Sequence, residues 1–195
     1  MDNKQYRMLE LLIDQMGNCE KCSLCKNGHV SPYWTENFQG WLLIGEAPGK
    51  DEVDNNEPFI GKAGEILWNE MIKYGIKKEH CTIINTVNCR PVKSNGKGNG
   101  KPTTAQQDIC REWVRKFVTI CNPDRILLLG GYALHQVLNT KGIRKNNAHL
   151  IRSNFFDTGK VFEMIPSVHP ASLFYGDKEI NKQLLELSIE KFAKG

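Results

Sequence analysis

No stretch of this 195-residue chain is apolar for anything near the ~20 residues that a membrane helix requires. The first residues, MDNKQYRMLELLIDQMGNC, also lack the apolar segment of a secretory signal. Both absences point to a cytoplasmic protein with no membrane partner. Charge of one sign is in short supply too: 26 Lys and Arg against 22 Asp and Glu leave a formal net charge of +4. That balance permits a polyanionic partner without requiring one. Internal repeats are missing, and nothing marks a second domain. With 40% hydrophobic and 25% charged residues, the chain reads as one compact unit over residues 1–195, monomeric by default.

Cysteine is plentiful, with seven residues. In a reducing compartment, clustered thiols bind metal or do chemistry more often than they form bridges. Cys19 and Cys22 form a C-x2-C pair, and Cys25 repeats the spacing. Cys81 opens an apolar strand and Cys121 closes an apolar helix, so both read as small core residues. Cys89, just after that strand, and Cys110, on the next helix, are free to return to the first pair. Cys19, Cys22, Cys89 and Cys110 are therefore the candidate ligands. Cys25 competes for one place, and zinc and a four-iron cluster fit the spacing about equally.

The hydrophobic pattern alternates helices and strands. Residues 4–16 have helical spacing, and a cysteine-rich loop leads to the apolar run WLLIGEAPG. GKAGEILWNEMIKYGI reads as a helix, CTIINTVN as a strand, and KSNGKGNGKP as a mobile loop. A helix capped by Thr103 or Thr104, the strand DRILLLGG, the helix GYALHQVL, a hairpin-like stretch ending in VFEMIPSVHP and a helix over 178–193 follow. Strands that are apolar along their length indicate a parallel sheet covered on both faces. In such sheets ligands sit beyond the carboxyl ends of the strands. Those ends are GEAPG, NTVNCRP, GGYA and SVHP.

These residues resemble a known family. GEAPGKDEVDNNEPFIGKAG is similar to the first motif of the iron–sulfur uracil-DNA glycosylases, INTVNCRP to their Asn-bearing strand, and SVHPASL to their His-Pro motif. The resemblance implies a three-layer α/β/α sandwich around a four-stranded parallel sheet. It also implies a 4Fe-4S cluster in preference to zinc, and DNA as partner. The chain departs from the family pattern in several places. The interval between Cys89 and Cys110 is enlarged by KGNGK, and Val53 stands where an acidic residue is common. Asn56 stands for glycine, and the stretches 27–39 and 141–160 match poorly.

Cutting an N-glycosidic bond leaves positive charge on the sugar and negative charge on the base. The site then needs a donor for the base oxygen and a group that places water. The expected catalytic pair is Glu46, inside the first turn, and neutral His169, before the backbone-fixing Pro170. Gly45, Ala47, Pro48 and Gly49 let the backbone approach the nucleotide. Phe59 is expected to stack on the base, Asn85 to read its polar edge, and Glu52 to face C5 by analogy with the family. The small residue at 49 suggests a roomy C5 side. Lys62, Arg90 and Lys93, with Lys97 and Lys101, are candidate phosphate contacts. Pro170, Ser172 and Leu173 complete the candidate DNA surface, Leu173 as a wedge for the vacated stack. No lysine lies in a strand-end motif, so hydrolysis without lyase chemistry is expected. Two rivals stand beside this reading: the same excision on a bulky 5-modified pyrimidine, and a non-catalytic single-stranded-DNA module using Tyr33, Trp34 and Phe38.

Overall fold

The computed structural model describes residues 2–154 and 159–194. A five-stranded sheet in the order β2-β1-β3-β5-β4 forms its centre. β1 (Trp41–Gly45), β2 (Cys81–Asn85), β3 (Arg125–Leu129) and β5 (Val161–Ser167) run parallel. The edge strand β4 (Ile151–Asn154) pairs antiparallel with β5, which is the hairpin signalled by the sequence. The fold is thus the expected sandwich with one strand more than the four implied. β4 alternates half-buried and exposed residues, as an edge strand with one wet face does. Part of the divergent stretch 141–160, residues 155–158, lies outside the described residues.

Side chains alternate across the parallel strands and so feed two cores. Leu42, Ile44, Ile126 and Leu128 face α1 (Asn3–Gly17), α4 (Thr104–Cys121) and α5 (Gly131–Leu138). Leu43, Ile83, Leu127 and Ile165 face α3 (Lys62–Met71) and α7 (Lys178–Lys194). Cys81 and Cys121 are buried in these cores as expected. α1 and α4 each open on a capping box, Asp2 with Gln5 and Thr103 with Gln106.

Two short helices escape the sequence pattern. α2 (Lys50–Asn55) follows the β1 turn, and α6 (Ile143–Asn146) precedes β4. Each is too short for a hydrophobic period to emerge. α2 ends on Asn56 in the left-handed conformation (φ 49°, ψ 44°), a geometry that asparagine tolerates. The Asn56 Oδ1 accepts from the Ser31 amide at 2.8 Å, and Val53 packs against Gly28. The departures at 53 and 56 therefore tie α2 to the 28–31 segment.

The glycine-rich loop is anchored at its base. Val92 and Asn99 form an antiparallel bridge, and the Gly100 amide donates to Pro91 O at 2.7 Å. The expectation of a freely mobile loop is corrected to that extent.

Candidate active site

β1 and β3 are neighbours whose chain continuations lead to opposite sides of the sheet, so a crevice opens beyond their carboxyl ends. The small residues of the β1 turn make the approach possible. A Cβ at Gly45 would stand 2.3 Å from Asn85 Oδ1 and 2.8 Å from the Phe59 ring. Asn85 and Phe59 thereby converge on a compact pocket of about 150 Å³ that also includes Ala47, Pro48, Gly49 and His169. Phe59 itself has φ +56°, uncommon for an aromatic residue, and is held there by α3. Gly64 passes so close that a Cβ would sit 1.9 Å from the Phe59 carbonyl oxygen, and Trp68 Nε1 donates to that oxygen at 3.0 Å.

Glu52 lines the pocket, but both its oxygens are engaged. They accept from the Gly49 amide at 3.0 Å and the Gly61 amide at 2.9 Å. The carboxylate joins the β1 turn to the start of α3. The space beside Gly49 is narrow: a Cβ there would meet Glu52 Oε2 at 2.6 Å and Asn99 Nδ2 at 2.9 Å. Asn99 is a pocket residue that sequence reasoning missed. It comes from the enlarged loop, and its Oδ1 accepts from Arg90 Nε at 2.8 Å.

Next to this pocket is a wider cleft of about 620 Å³, lined by Glu46, Gly130, Tyr132, Arg144 and Ser172 among others. His169 borders both spaces and forms the partition between them. The Ala171 amide donates to His169 Nδ1 at 3.1 Å, so the proton of the neutral ring resides on Nε2. Burial lowers the imidazole pKa to about 4, which keeps it neutral at physiological pH. Burial also raises the Glu46 carboxyl above its ordinary value, opposed by the Lys101 charge.

The Glu46 backbone is held from below. Its carbonyl accepts from Thr86 Oγ1 at 2.5 Å and from the Val87 amide at 3.3 Å. Thr86 is bonded in turn by two buried amides: Gln107 Nε2 donates to its hydroxyl at 3.3 Å and Gln136 Nε2 to its carbonyl at 2.9 Å. Thr86→Val keeps the shape and removes the hydroxyl. It is expected to lower kcat about tenfold with KM little changed, by loosening the carboxylate. Steady-state kinetics against Thr86→Ser, which retains the bond, checks this.

The model of the uracil DNA glycosylase superfamily matches residues 35–193 of the chain. The chain belongs to the uracil DNA glycosylase superfamily. It is 30% identical over 186 residues to the type-4 uracil-DNA glycosylase of Thermotoga maritima, covering 94% of this chain and 92% of that protein. With the type-4 uracil-DNA glycosylase of Archaeoglobus fulgidus it shares 27% over 172 residues, 86% of this chain and 83% of that one.

In this superfamily member the candidate metal ligands also meet. Cys19, Cys22, Cys89 and Cys110 line one small cavity between α1, α4 and the 28–30 segment, and the competing Cys25 lines it equally. Two backbone strips explain the meeting. The Val30 amide donates to Asn88 O at 2.8 Å and the Arg90 amide to Gly28 O at 3.0 Å, pairing His29 with Cys89. Cys89 is pushed up to about 12, first by burial and then by the neighbouring thiols of Cys110, Cys22, Cys19 and Cys25. Burial pushes Cys110 to about 11. Among the described residues, no three His, Cys, Asp or Glu side chains are drawn together as a ready cage for one ion.

The DNA-contact candidates are spread around the mouth of the crevice. Lys62 and Lys93 are exposed, and Arg90 is half-buried. Pro170 is buried under the turn, whereas Ser172 lines the wide cleft with a buried hydroxyl that has no partner. Leu173 leans on the α3/α7 core instead of projecting. The exposed apolar surface at that corner belongs to Phe174 and Tyr175. Sequence reasoning also missed Gly130, Tyr132, Lys141 and Arg144 on the cleft wall. GGYA gave a signal for the first two, as a strand end; the basic pair lies in the poorly matching stretch.

Tyr33 and Trp34, offered as a stacking platform, are occupied within the fold. Trp34 packs against Tyr6 in a tilted pair with centroids 5.3 Å apart, and Lys78 lies over the Tyr33 ring at 5.1 Å.

Proposed function

We propose that this protein removes uracil from DNA by hydrolysing its N-glycosidic bond. The observation that carries the reading is the position of His169 as the shared wall of two spaces, one sized for a single small heterocycle and one wide enough for sugar and backbone. The extruded pyrimidine enters the smaller space, stacked by Phe59 and met at its polar edge by Asn85. Glu52 and Asn99 close the C5 side, which favours uracil over a bulky 5-modified base.

Glu46 orients a water in the wide cleft. The water oxygen bonds to C1′ as the C1′–N1 bond breaks, and the bonding pair passes into the pyrimidine. The His169 Nε2–H donates to the base oxygen on which the charge gathers, and the Glu46 carboxylate takes the proton of the water. The products are free uracil and an abasic deoxyribose. No lysine enters this step, so the strand is left uncut. Phe174 and Tyr175 offer the apolar surface to occupy the gap left in the stack, in place of Leu173.

The cysteine cavity fits a 4Fe-4S cluster bound by Cys19, Cys22, Cys89 and Cys110. Its donors are thiols whose ionised forms, buried together, need a positive body among them. A single zinc at about 2.3 Å from each sulfur requires four thiolates almost in contact. The resemblance to the iron–sulfur uracil-DNA glycosylases favours the cluster over zinc, and five cysteines around one cavity supply its ligands. The cluster supplies no step of the hydrolysis; it joins the N-terminal segment to α4 and to the strand end that carries Asn85.

Incubating the purified protein with oligonucleotides containing uracil, hypoxanthine or a bulky 5-substituted pyrimidine tests the proposal. Abasic product from uracil alone is expected, and release of only another base overturns the substrate. The rate is also expected to fall in acid with a midpoint above the ordinary carboxylate value of 4.5, because protonation of Glu46 abolishes water orientation while His169 stays neutral down to about 4. A pH–rate profile with no acid limb in that region contradicts the role of Glu46.

A further inference from the structure

Three residues that line the cysteine cavity each have a buried side-chain nitrogen without a partner: His29 Nε2, Asn88 Nδ2 and Trp113 Nε1. Buried donors are nearly always bonded, because an unpaired one forfeits its hydration without return. Three such exceptions around a single cavity need a common acceptor. The cavity wall contains the sulfurs of Cys19, Cys22, Cys25, Cys89 and Cys110.

We infer that His29, Asn88 and Trp113 form a hydrogen-bonding cage whose N–H groups donate to the sulfurs of the cluster and set its reduction potential. The inference rests on the cluster assignment made above. Each donor arrives from a different element. His29 lies on the strip bridged to Cys89, Asn88 on the turn before it, and Trp113 on α4 three residues after Cys110. Four thiolates give the cluster a net negative charge that grows by one on reduction. Donors aimed at sulfur therefore stabilise the reduced form more and raise the potential. Two ammonium groups reinforce the same sign, with Lys21 at 4.8 Å and Lys116 at 5.2 Å from the Trp113 ring centroid.

The test uses the iron-loaded protein and three variants, His29→Phe, Asn88→Leu and Trp113→Phe, with the reduction potential read by spectroelectrochemistry. Each variant is expected to shift the potential to a more negative value, and His29→Gln, which restores an N–H, to recover part of the shift. Iron and sulfide content and the thermal melt are measured alongside. Potentials unchanged in all loaded variants overturn the cage. Wild-type protein that binds zinc, or no iron, overturns the cluster assignment instead, so the two failures are distinguishable. Should Trp113→Phe lose its cluster on purification, His29→Phe and Asn88→Leu, which lie outside the helix packing, decide the matter.

Discussion

His169→Ala is expected to lower kcat for uracil release about 10²–10³-fold, the usual loss when one preorganised donor to a developing oxyanion is removed. KM should change much less, because Phe59 and Asn85 retain the ground-state contacts with the base. The geometry gives this prediction its direction. The ring is neutral, its Nδ1 accepts from the Ala171 amide, and it borders both the small pocket and the wide cleft. His169→Gln preserves a donor without the fixed tautomer and should recover only part of the rate. Glu46→Gln is expected to abolish the acid limb as well as most of the activity, yet to leave the protein more stable. Glu46 has its pKa raised in the fold, so its stabilising contribution is complete below the ordinary carboxylate value and is lost as pH rises through the raised one. At neutral pH it is ionised where burial disfavours charge, and the amide removes that cost. His169 has the opposite sign: with a folded pKa near 4, the stability it provides is present above 6.5 and declines between there and about 4. Melting curves at several pH values, run beside single-turnover kinetics, check both signs.

Cys89→Ser or Cys110→Ser is expected to bleach the visible iron–sulfur absorption and to lower Tm by about 10 °C, taking the cluster as a cross-link comparable to a structural disulfide. Cys89 has the larger reach, since its neighbours in sequence pair with the 28–30 segment while Cys110 fixes α4. Cys121→Ala serves as the control. That residue is buried against the sheet away from the cavity, so its loss should cost packing and leave the absorption intact. Cys25→Ser separates the competing ligand assignments: retained colour leaves the four proposed cysteines in place, and bleaching assigns Cys25 as a ligand.

The sequence carried the sheet because its strands are apolar runs flanked by turn residues, and it carried α1 and α4 because each has a helical period behind a capping box. It carried the placement of Glu46, Asn85 and His169 around the crevice because all three follow or end strands. What it concealed depended on distance in three dimensions. Asn99 lies fourteen residues from Asn85, in a glycine-rich loop whose composition suggests only flexibility, yet the Val92–Asn99 bridge delivers it to the pocket wall. The bonds that Glu52 accepts from the amides of Gly49 and Gly61 join residues that sequence spacing does not bring together. Leu173 has the spacing from His169 for a wedge, and the short 3-10 turn over Pro170–Phe174 leaves it partly buried against the core with Phe174 more exposed beside it. α2 gave no periodic signal at six residues, and its role is to carry Glu52.

The loop that contributes Asn99 is a surface ribbon between Cys89 and Cys110, two of the proposed cluster ligands, and its length is free of the constraints that govern the sheet. A change in the number of its residues would move one wall of the base chamber while leaving the hydrolytic pair where it is. Substrate choice in this scaffold can therefore drift by insertion and deletion alone, separately from the chemistry.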